Sequence, residues 1–219
     1  MLRPSPAPAP ALRSVLAALG SPTAVREPRT PALRAAQGPL SPELPLPVHV
    51  LGVTGAPGAA GVPGVTGDVT GVAGQHQPPR TRLAGWRFLI RNGDRAIAAA
   101  DTMLTPDGWS FSHFFEGPYV SATERALIQA EALPTAYQPR LLSVPGLYML
   151  TLWLHTDTEA DGATTEPGPD DLLVPLAPAP PGIAANRPYR VADLLPVIVP
   201  RLSPPPLFGS AALGEPTPA

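Results

Sequence analysis

The chain has 219 residues, enough for one domain of ordinary size with tails, and 34 of them are Pro and 20 are Gly. It contains no Cys, which excludes disulfides, thiolate catalysis and Cys-ligated zinc or iron–sulfur sites. Residues 1–85 carry seven Arg against three acidic residues, whereas residues 86–219 carry eight Arg against fourteen acidic residues. An acidic C-terminal part without a basic stripe argues against nucleic acid as a partner.

The sequence also indicates a soluble, cytoplasmic protein. The apolar piece near the N-terminus is too short for a secretory signal, and no later run approaches the roughly 18 apolar residues of a membrane span. No cofactor is predicted. Another protein is the candidate partner, and the sequence determines neither a ligand nor the oligomeric state.

Residues 1–85 are predicted to be disordered, because no Trp, Tyr or Phe precedes Trp86 and prolines recur too often for a long helix. Within this region, Ala11–Leu19 carries apolar residues at helical spacing; it is interpreted as a weak docking peptide at best, and a plain linker is favoured. A second hypothesis is that these 85 residues come from a misplaced start codon in a GC-rich genome. The abrupt change in composition at Trp86 motivates that hypothesis.

Residues 52–67 have Gly at every third position and resemble a collagen-like G-X-Y tract. The tract is short, its phase breaks at Asp68, and only Pro57 and Pro63 occupy Y positions. A flexible spacer is therefore favoured over a triple helix.

The folded domain is predicted to span residues 86–202. Its first element is a hairpin, since apolar residues alternate from Trp86 to Ile90 and the dipeptide Asn92-Gly93 is typical of a tight β-turn. A second strand follows from Arg95, although Ala98–Leu104 is also compatible with a short helix.

Residues 105–119 are predicted to form a loop that is rich in aromatic residues. Such rings either pack over the sheet or line a pocket, and packing is the commoner use. We assign a possible interaction surface to Trp109, Phe114 and Phe115 together with Ile128, an apolar residue among the polar positions of the next helix.

One main helix is predicted over about residues 121–133. Ser121 and Glu124 match a capping box, and Pro134 ends the pattern. Ala126, Leu127, Ala130 and Leu133 share one side of this helix.

Three strands follow in the prediction. Residues 140–144 form one, residues 147–154 form a buried strand or a buried helix, and residues 171–176 return beside residues 152–155 at a sheet edge. The acidic connection of residues 157–170 is expected to be exposed.

A short helix, Val191–Leu195, and an extended segment after Pro196 complete the domain, and residues 203–219 are predicted to form a disordered tail. The predicted fold class is therefore α+β, with a small, mainly antiparallel sheet and one main capped helix.

No established catalytic motif occurs in the sequence. The weak catalytic or metal candidates are His113 and Glu116 in the aromatic loop, with His155 and Asp157 at a strand end. Sequence spacing gives no reason for these two pairs to meet. Tyr119, Arg140, Asp170 and Asp171 are interpreted as packing and solubility residues.

The segments GWRFLIRNGDRAIAAAD, EGPYV, LYMLTLWLH and DLLVPLAPAPPG resemble small α+β domains of unknown function in GC-rich bacteria. The resemblance covers about half of the chain and implies neither an activity nor a catalytic residue. The leading hypothesis is a non-catalytic interaction or accessory domain. The alternatives are a small hydrolase-like or metal-dependent enzyme that uses His113 and His155, and a collagen-like trimeric surface protein.

Overall fold

The computed structural model describes residues 1–27, 29–52, 80–163 and 166–202. The strands are β1 Leu40–Gly52, β2 Arg80–Asn92, β3 Arg95–Thr105, β4 Gly108–Phe115, β5 Gln138–Val144, β6 Met149–His155, β7 Leu172–Pro175 and β8 Tyr189–Arg190. The helices are α1 Ala9–Leu19, α2 Pro22–Val25, α3 Pro31–Ala35, α4 Pro118–Glu131 and α5 Val191–Leu202, with a turn of 3₁₀ helix at Pro145–Leu147.

All the strands of the described residues belong to one eight-stranded sheet in the order β4-β3-β2-β1-β5-β6-β7-β8. Neighbouring strands are antiparallel except β1 and β5, which are parallel. The prediction of helices combined with a sheet is confirmed, but the sheet is mixed and larger than predicted. The difference arises because β1, in a region expected to be disordered, joins two antiparallel halves.

The N-terminal region differs most from the prediction. Residues 9–19 form α1, whose Ala11, Val15 and Ala18 are buried in a cluster with Phe88 and Phe114. Expected disorder is therefore wrong for this segment, because the sheet supplies the aromatic area that the segment itself lacks. The buried side of the helix is built largely from small residues, which allow close approach.

Strand β1 contains three prolines, which led to the prediction of disorder. Pro42, Pro45 and Pro47 all precede the segment Val48–Val50 that pairs with β5. The proline-containing part therefore has a hydrogen-bonded neighbour on one side only, and a missing N–H there is tolerated. A break in the register between Glu43 and Leu46 accommodates the middle proline.

The predicted hairpin is confirmed as β2 and β3, and Ala98–Leu104 is strand rather than helix. Asn92 pairs with Arg95, so the turn residues are Gly93, which has φ 61°, and Asp94. The predicted aromatic loop is wrong over residues 108–115, which form β4. A bulge in β4 opposite Asp101 and Thr102 interrupts the alternation of inward-facing and outward-facing side chains. The sequence therefore lacks the period-two pattern that predicts a strand.

Helix α4 begins at Pro118, three residues before the predicted cap. Gly117 precedes it with φ 126°, a conformation that favours glycine, and no side chain caps the helix. The capping box is therefore wrong. Glu124 instead accepts a hydrogen bond from the Ala96 backbone N–H at 3.1 Å and pairs with Arg91 at 3.1 Å.

Strand predictions in the C-terminal half are confirmed. Residues 149–155 are strand β6, every residue of which is buried, and β7 pairs with it from Thr151 to Leu154. Strand β7 is not at the edge, because the two-residue β8 lies outside it.

The prediction that Pro196 ends the last helix is wrong, since α5 continues to Leu202 through Pro196 and Pro200. These prolines are four residues apart and exposed, so the backbone carbonyls that lose their partners lie on the outer side of the helix. Val191, Leu194 and Ile198 are buried on the other side.

The two faces of the sheet are covered differently. Helix α4 packs on one face, whereas α1 and α5 pack on the other, where they bury two separate apolar clusters. The connection between β6 and β7, residues 156–170, is called the acidic loop. Its Gly162 meets Ser5 of the N-terminal segment over Pro47, in the region between those two helices. This arrangement places a stretch of loop directly over the middle of the sheet.

Two sequence predictions fall outside the described residues. Apart from Gly52, the collagen-like tract lies there, and so does the whole of residues 203–219. In the part of the chain that is described, no helix has both the length and the apolar character needed to cross a membrane.

Candidate functional site

The most strongly hydrogen-bonded side chain beneath the acidic loop is Asp171, which is fully buried. One carboxylate oxygen, Oδ2, accepts from Trp153 Nε1 at 2.7 Å, His155 Nδ1 at 2.7 Å and the Gly168 backbone N–H at 2.8 Å. The other, Oδ1, accepts from the backbone N–H and the hydroxyl of Thr156, both at 2.9 Å. Asp171 therefore connects both ends of the loop to β6.

These donors determine the ionisation of the carboxyl group. Burial by itself would raise the pKa of Asp171, but the hydrogen bonds from His155, Thr156, Trp153 and Gly168 outweigh burial and hold the pKa below its usual value. Asp171 is thus a carboxylate at neutral pH. The interpretation of Asp171 as a solubility residue is wrong, although its exposed neighbour Asp170 fits that role.

Two further side chains hold the middle of the loop. His49 Nε2 lies 2.8 Å from the Gly162 carbonyl oxygen, and because a carbonyl only accepts, this nitrogen carries the proton. Gln138 Nε2 donates to the carbonyl oxygens of Thr158 at 3.2 Å and Ala160 at 2.9 Å. Desolvation by burial lowers the pKa of His49 to about 4, so its ring is neutral at physiological pH.

Arg140 supplies the positive charge of this cluster. Its guanidinium lies over the Trp153 ring at 4.8 Å, its Nε donates to Gln138 Oε1 at 2.8 Å, and its Nη2 donates to the Asp161 carbonyl oxygen at 3.4 Å. Burial lowers the pKa of Arg140, and the negative charges of Asp171 and Asp161 partly offset that effect. One buried carboxylate and one buried guanidinium thus stabilise each other by their opposite charges. We call this group of side chains the buried polar cluster; it consists of His49, Gln138, Arg140, Trp153, His155 and Asp171.

His155 is the one catalytic candidate from the sequence that lies in this cluster. A carboxylate that orients an imidazole is an arrangement used in general base catalysis. The ring is buried, its edge packs against Trp153 with centroids 5.5 Å apart, and its Nε2 has no hydrogen-bond partner among the described residues. Among the described residues, all the hydrogen-bond partners of the Asp171 carboxylate belong to β6 or to the acidic loop, as expected of a residue that attaches the loop to the sheet.

The other three candidates lie elsewhere. His113 is exposed on β4, with Nδ1 3.0 Å from Ser112 Oγ. Glu116 accepts from the backbone N–H groups of Ala32 at 3.1 Å and Leu33 at 2.8 Å in the first turn of α3. Glu116 therefore has a structural partner that sequence spacing could not indicate.

His113 and His155 are not brought together. Strands β3, β2, β1 and β5 lie between β4 and β6, which at about 4.8 Å per spacing separates the two strands by roughly 24 Å. Asp157, near His155 in sequence, is exposed and accepts from the Glu159 backbone N–H at 3.0 Å. Among the described residues, no three His, Asp or Glu side chains are grouped so that they could hold a metal ion.

The proposed interaction residues also do not form one surface. Phe114 is buried in the cluster beneath α1, whereas Phe115 packs toward the α4 face. Trp109 is half-buried on the α1 side, and Ile128 is 66% exposed on α4. The aromatic-rich segment does, however, lie at an informative place, because β4 is the last strand at one edge of the sheet.

Strand β4 presents an unusually open edge. Its eight residues, GWSFSHFF, include no Pro and no Asp, Glu, Lys or Arg, and His113 is its only ionisable residue. Among the described residues, no backbone hydrogen bond joins β4 to a segment other than β3. Proteins commonly protect such an edge with charge, proline or short length, and β4 has only its single bulge.

Exposed apolar side chains border this edge. Near the turn between β3 and β4, Met103 is 48% exposed and Leu104 is 63% exposed. On α1, which packs chiefly against β4, Leu16 is 49% exposed. We define the open edge as β4 together with Leu16, Met103 and Leu104.

The opposite edge has the protection that β4 lacks. Strand β8 has only two residues, Tyr189 and Arg190, and it follows Pro188 directly. Arg187 lies over the Tyr189 ring at 5.3 Å, which adds a second positive charge beside the strand. The two ends of the sheet therefore differ in length and in charge.

Comparisons with protein-family models, with curated proteins and with solved structures found no match for this chain. The function proposed below therefore depends on the residues of the site alone.

Proposed function

We propose that this chain is a non-catalytic protein-interaction domain that binds an extended segment of a protein partner along the open edge. The observation that carries the proposal is the eight-residue, uncharged edge strand β4. Strand addition obtains its affinity from main-chain hydrogen bonds, so it requires a free edge of this kind rather than a deep pocket.

The side chains beside the edge support the same function. Three exposed apolar side chains bury little area in the single chain: Leu16 on α1, and Met103 and Leu104 near the turn between β3 and β4. Grouped exposed apolar residues are typical of interaction sites. A bound strand would cover them and would also pair the backbone groups of β4.

The buried polar cluster supports a structural role for the residues that a catalytic hypothesis would use. Asp171 is saturated with donors from its own chain, and His155 is oriented toward it beneath the loop. The alternative of a hydrolase-like or metal-dependent enzyme using His113 and His155 together draws no support from their strand positions. The collagen-like trimer concerns residues outside the described part and stays a prediction.

Photocrosslinking in the cells that naturally make the protein tests this function. A photoreactive phenylalanine analogue replaces His113, which is exposed in the open edge, and in a separate variant replaces Ile128, which is exposed on α4. We expect covalent protein adducts from position 113 well above those from position 128. Equal yields at the two positions, or no adducts at position 113, would contradict the proposal.

A further inference from the structure

We infer that the segment bound along the open edge is β4 of a second copy of this chain, so that two sheets continue into one another across a two-fold axis. This inference rests on the proposed function and names its partner. Two identical strands pair antiparallel about such an axis, which matches the closed symmetry of most homo-oligomers.

Charge is the first argument for a second copy. An antiparallel pair of identical strands places the same residue types opposite one another near the axis, and like charges there are destabilising. Strand β4 has no Asp, Glu, Lys or Arg, and its central residues Phe111 and Ser112 are uncharged. Two copies of β4 can therefore pair antiparallel without bringing like charges together.

The opposite edge supplies the second argument. An unprotected strand at both ends of a sheet would allow copies to add without limit, whereas a single open edge stops at two copies. Strand β8 has only two residues, one of them Arg190, and follows Pro188, so it offers no matching length for β4. The structure thus permits pairing of β4 with β4 and disfavours an open fibre.

The apolar border of the edge gives the third argument. Helix α1 packs mainly on β4, so α1 of each copy would approach the neighbouring copy on one face of the continued sheet. Leu16 is on α1 and is 49% exposed in the single chain. Two-fold pairing would bring such apolar groups from both copies to the interface core, where homodimers are more apolar than other surfaces.

Sedimentation equilibrium of the purified full-length protein tests the inference. The expected mass is twice the 22.7 kDa of one chain. Ser112→Lys adds a positive charge at an exposed residue in the middle of β4, and we expect it to weaken the dimer about tenfold or more, because the charge meets its own copy. The matched control Ser121→Lys makes the same change on α4 and should leave the dimer intact.

Amide hydrogen exchange of the wild-type protein provides a second readout. Amides of β4 should become more protected as concentration rises, while those of β8 should not change. A monomer at all concentrations, or a dimer that Ser112→Lys does not weaken, would overturn the second-copy inference. If the protein is monomeric but position 113 still crosslinks to a different protein, only this inference fails; if no adduct forms either, the proposed function fails with it.

Discussion

Strands β2, β3 and β4 meet α1 through alanine and aromatic side chains, whereas β1, β5 and β6, with Asp171 just before β7, meet the acidic loop through a carboxylate, two histidines and an arginine. The loop of residues 156–170 contains no aliphatic side chain larger than Ala or Pro, so burial of apolar area can contribute little to its attachment. Buried hydrogen bonds therefore take that role. A polar segment can thus cover a sheet when a buried carboxylate accepts hydrogen bonds from both of its ends.

The largest expected effect is on the polar side of this comparison. Asp171→Asn replaces a carboxylate with an amide that cannot accept from all five of its donors, and it removes a negative charge that supports the buried Arg140 guanidinium. We expect the free energy of unfolding to fall by roughly 4 kcal/mol. Urea denaturation measures the free energy of unfolding. Asp170→Asn makes the same change at the exposed neighbouring residue and, as the matched control, should leave that free energy almost unchanged. Equal losses from the two variants would show that the hydrogen bonds to Asp171 do not hold the loop.

On the apolar side, the closest backbone approach is at Gly85 in β2. A Cβ at this position would overlap the carbonyl oxygen of Thr102 on β3. Gly85→Ala is expected to lower the free energy of unfolding by about 3 kcal/mol, because two paired strands must separate. In Gly52→Ala, the added Cβ would be 3.8 Å from the Arg80 carbonyl oxygen, an ordinary contact, so this control should change thermal stability little. A well-tolerated Gly85→Ala would mean that β2 and β3 can shift freely.

His49 gives the polar side of the molecule a pH-dependent stability. Its pKa is lowered by burial to about 4, so between pH 4 and the usual value of 6.5 the unfolded state binds a proton that the folded state does not. Stability therefore falls as pH decreases through this window, by on the order of 2 to 3 kcal/mol. Denaturation at about pH 7 and about pH 4.5 measures the loss, with the lower pH kept above the depressed pKa of Asp171.

His49→Gln retains a nitrogen donor for the Gly162 carbonyl oxygen and removes the titrating group. Most of the pH-dependent loss should disappear in this variant. His113→Gln removes an exposed histidine from β4 and serves as the control, with the wild-type pH profile expected. A wild-type profile in His49→Gln would assign the dependence to another group.

The smallest expected effect is at the tip of the β5–β6 hairpin. Tyr148 is 90% exposed and has φ 50°, a backbone conformation that few side chains other than Gly, Asn or Asp adopt readily. Tyr148→Asn should raise the free energy of unfolding by about 0.5 to 1 kcal/mol. Tyr148→Ala keeps a side chain in the same unfavourable backbone conformation, so it should not raise the melting temperature measured by thermal denaturation. A loss in Tyr148→Asn would reveal a contact of the ring in the folded chain.

Several local elements were predictable because their determinants lie close together in sequence. The alternation around Phe88 and the Asn92-Gly93 dipeptide predicted the first hairpin, and the continuous apolar run predicted β6. The apolar side of α4 was also predicted, although its start was not. Gly117 and Pro118 determine that start more strongly than Ser121 does, because the first helical turn accepts proline and the chain enters α4 through Gly117 at φ 126°, which a glycine adopts readily.

The candidate site was predictable only in fragments. His155 was selected from the sequence, but its partner Asp171 was assigned to solubility, and His49 was placed in a region expected to be disordered. Local alternation in VHVL, residues 48–51, is the signal that could have indicated a strand there. The prolines before it concealed that signal.

From the sequence alone, the first hairpin, the apolar side of α4 and strand β6 were predictable, as were the absence of cysteine chemistry and the polar character of the loop of residues 156–170. Tertiary contacts place β1 at the centre of the sheet, bury Asp171 beneath that loop, and leave β4 as the last strand at one edge of the sheet that the described residues form. The physical reason is that propensity and periodicity act over a few residues, whereas strand order, burial and hydrogen-bond partners depend on segments that are distant in sequence, such as β1 and β5.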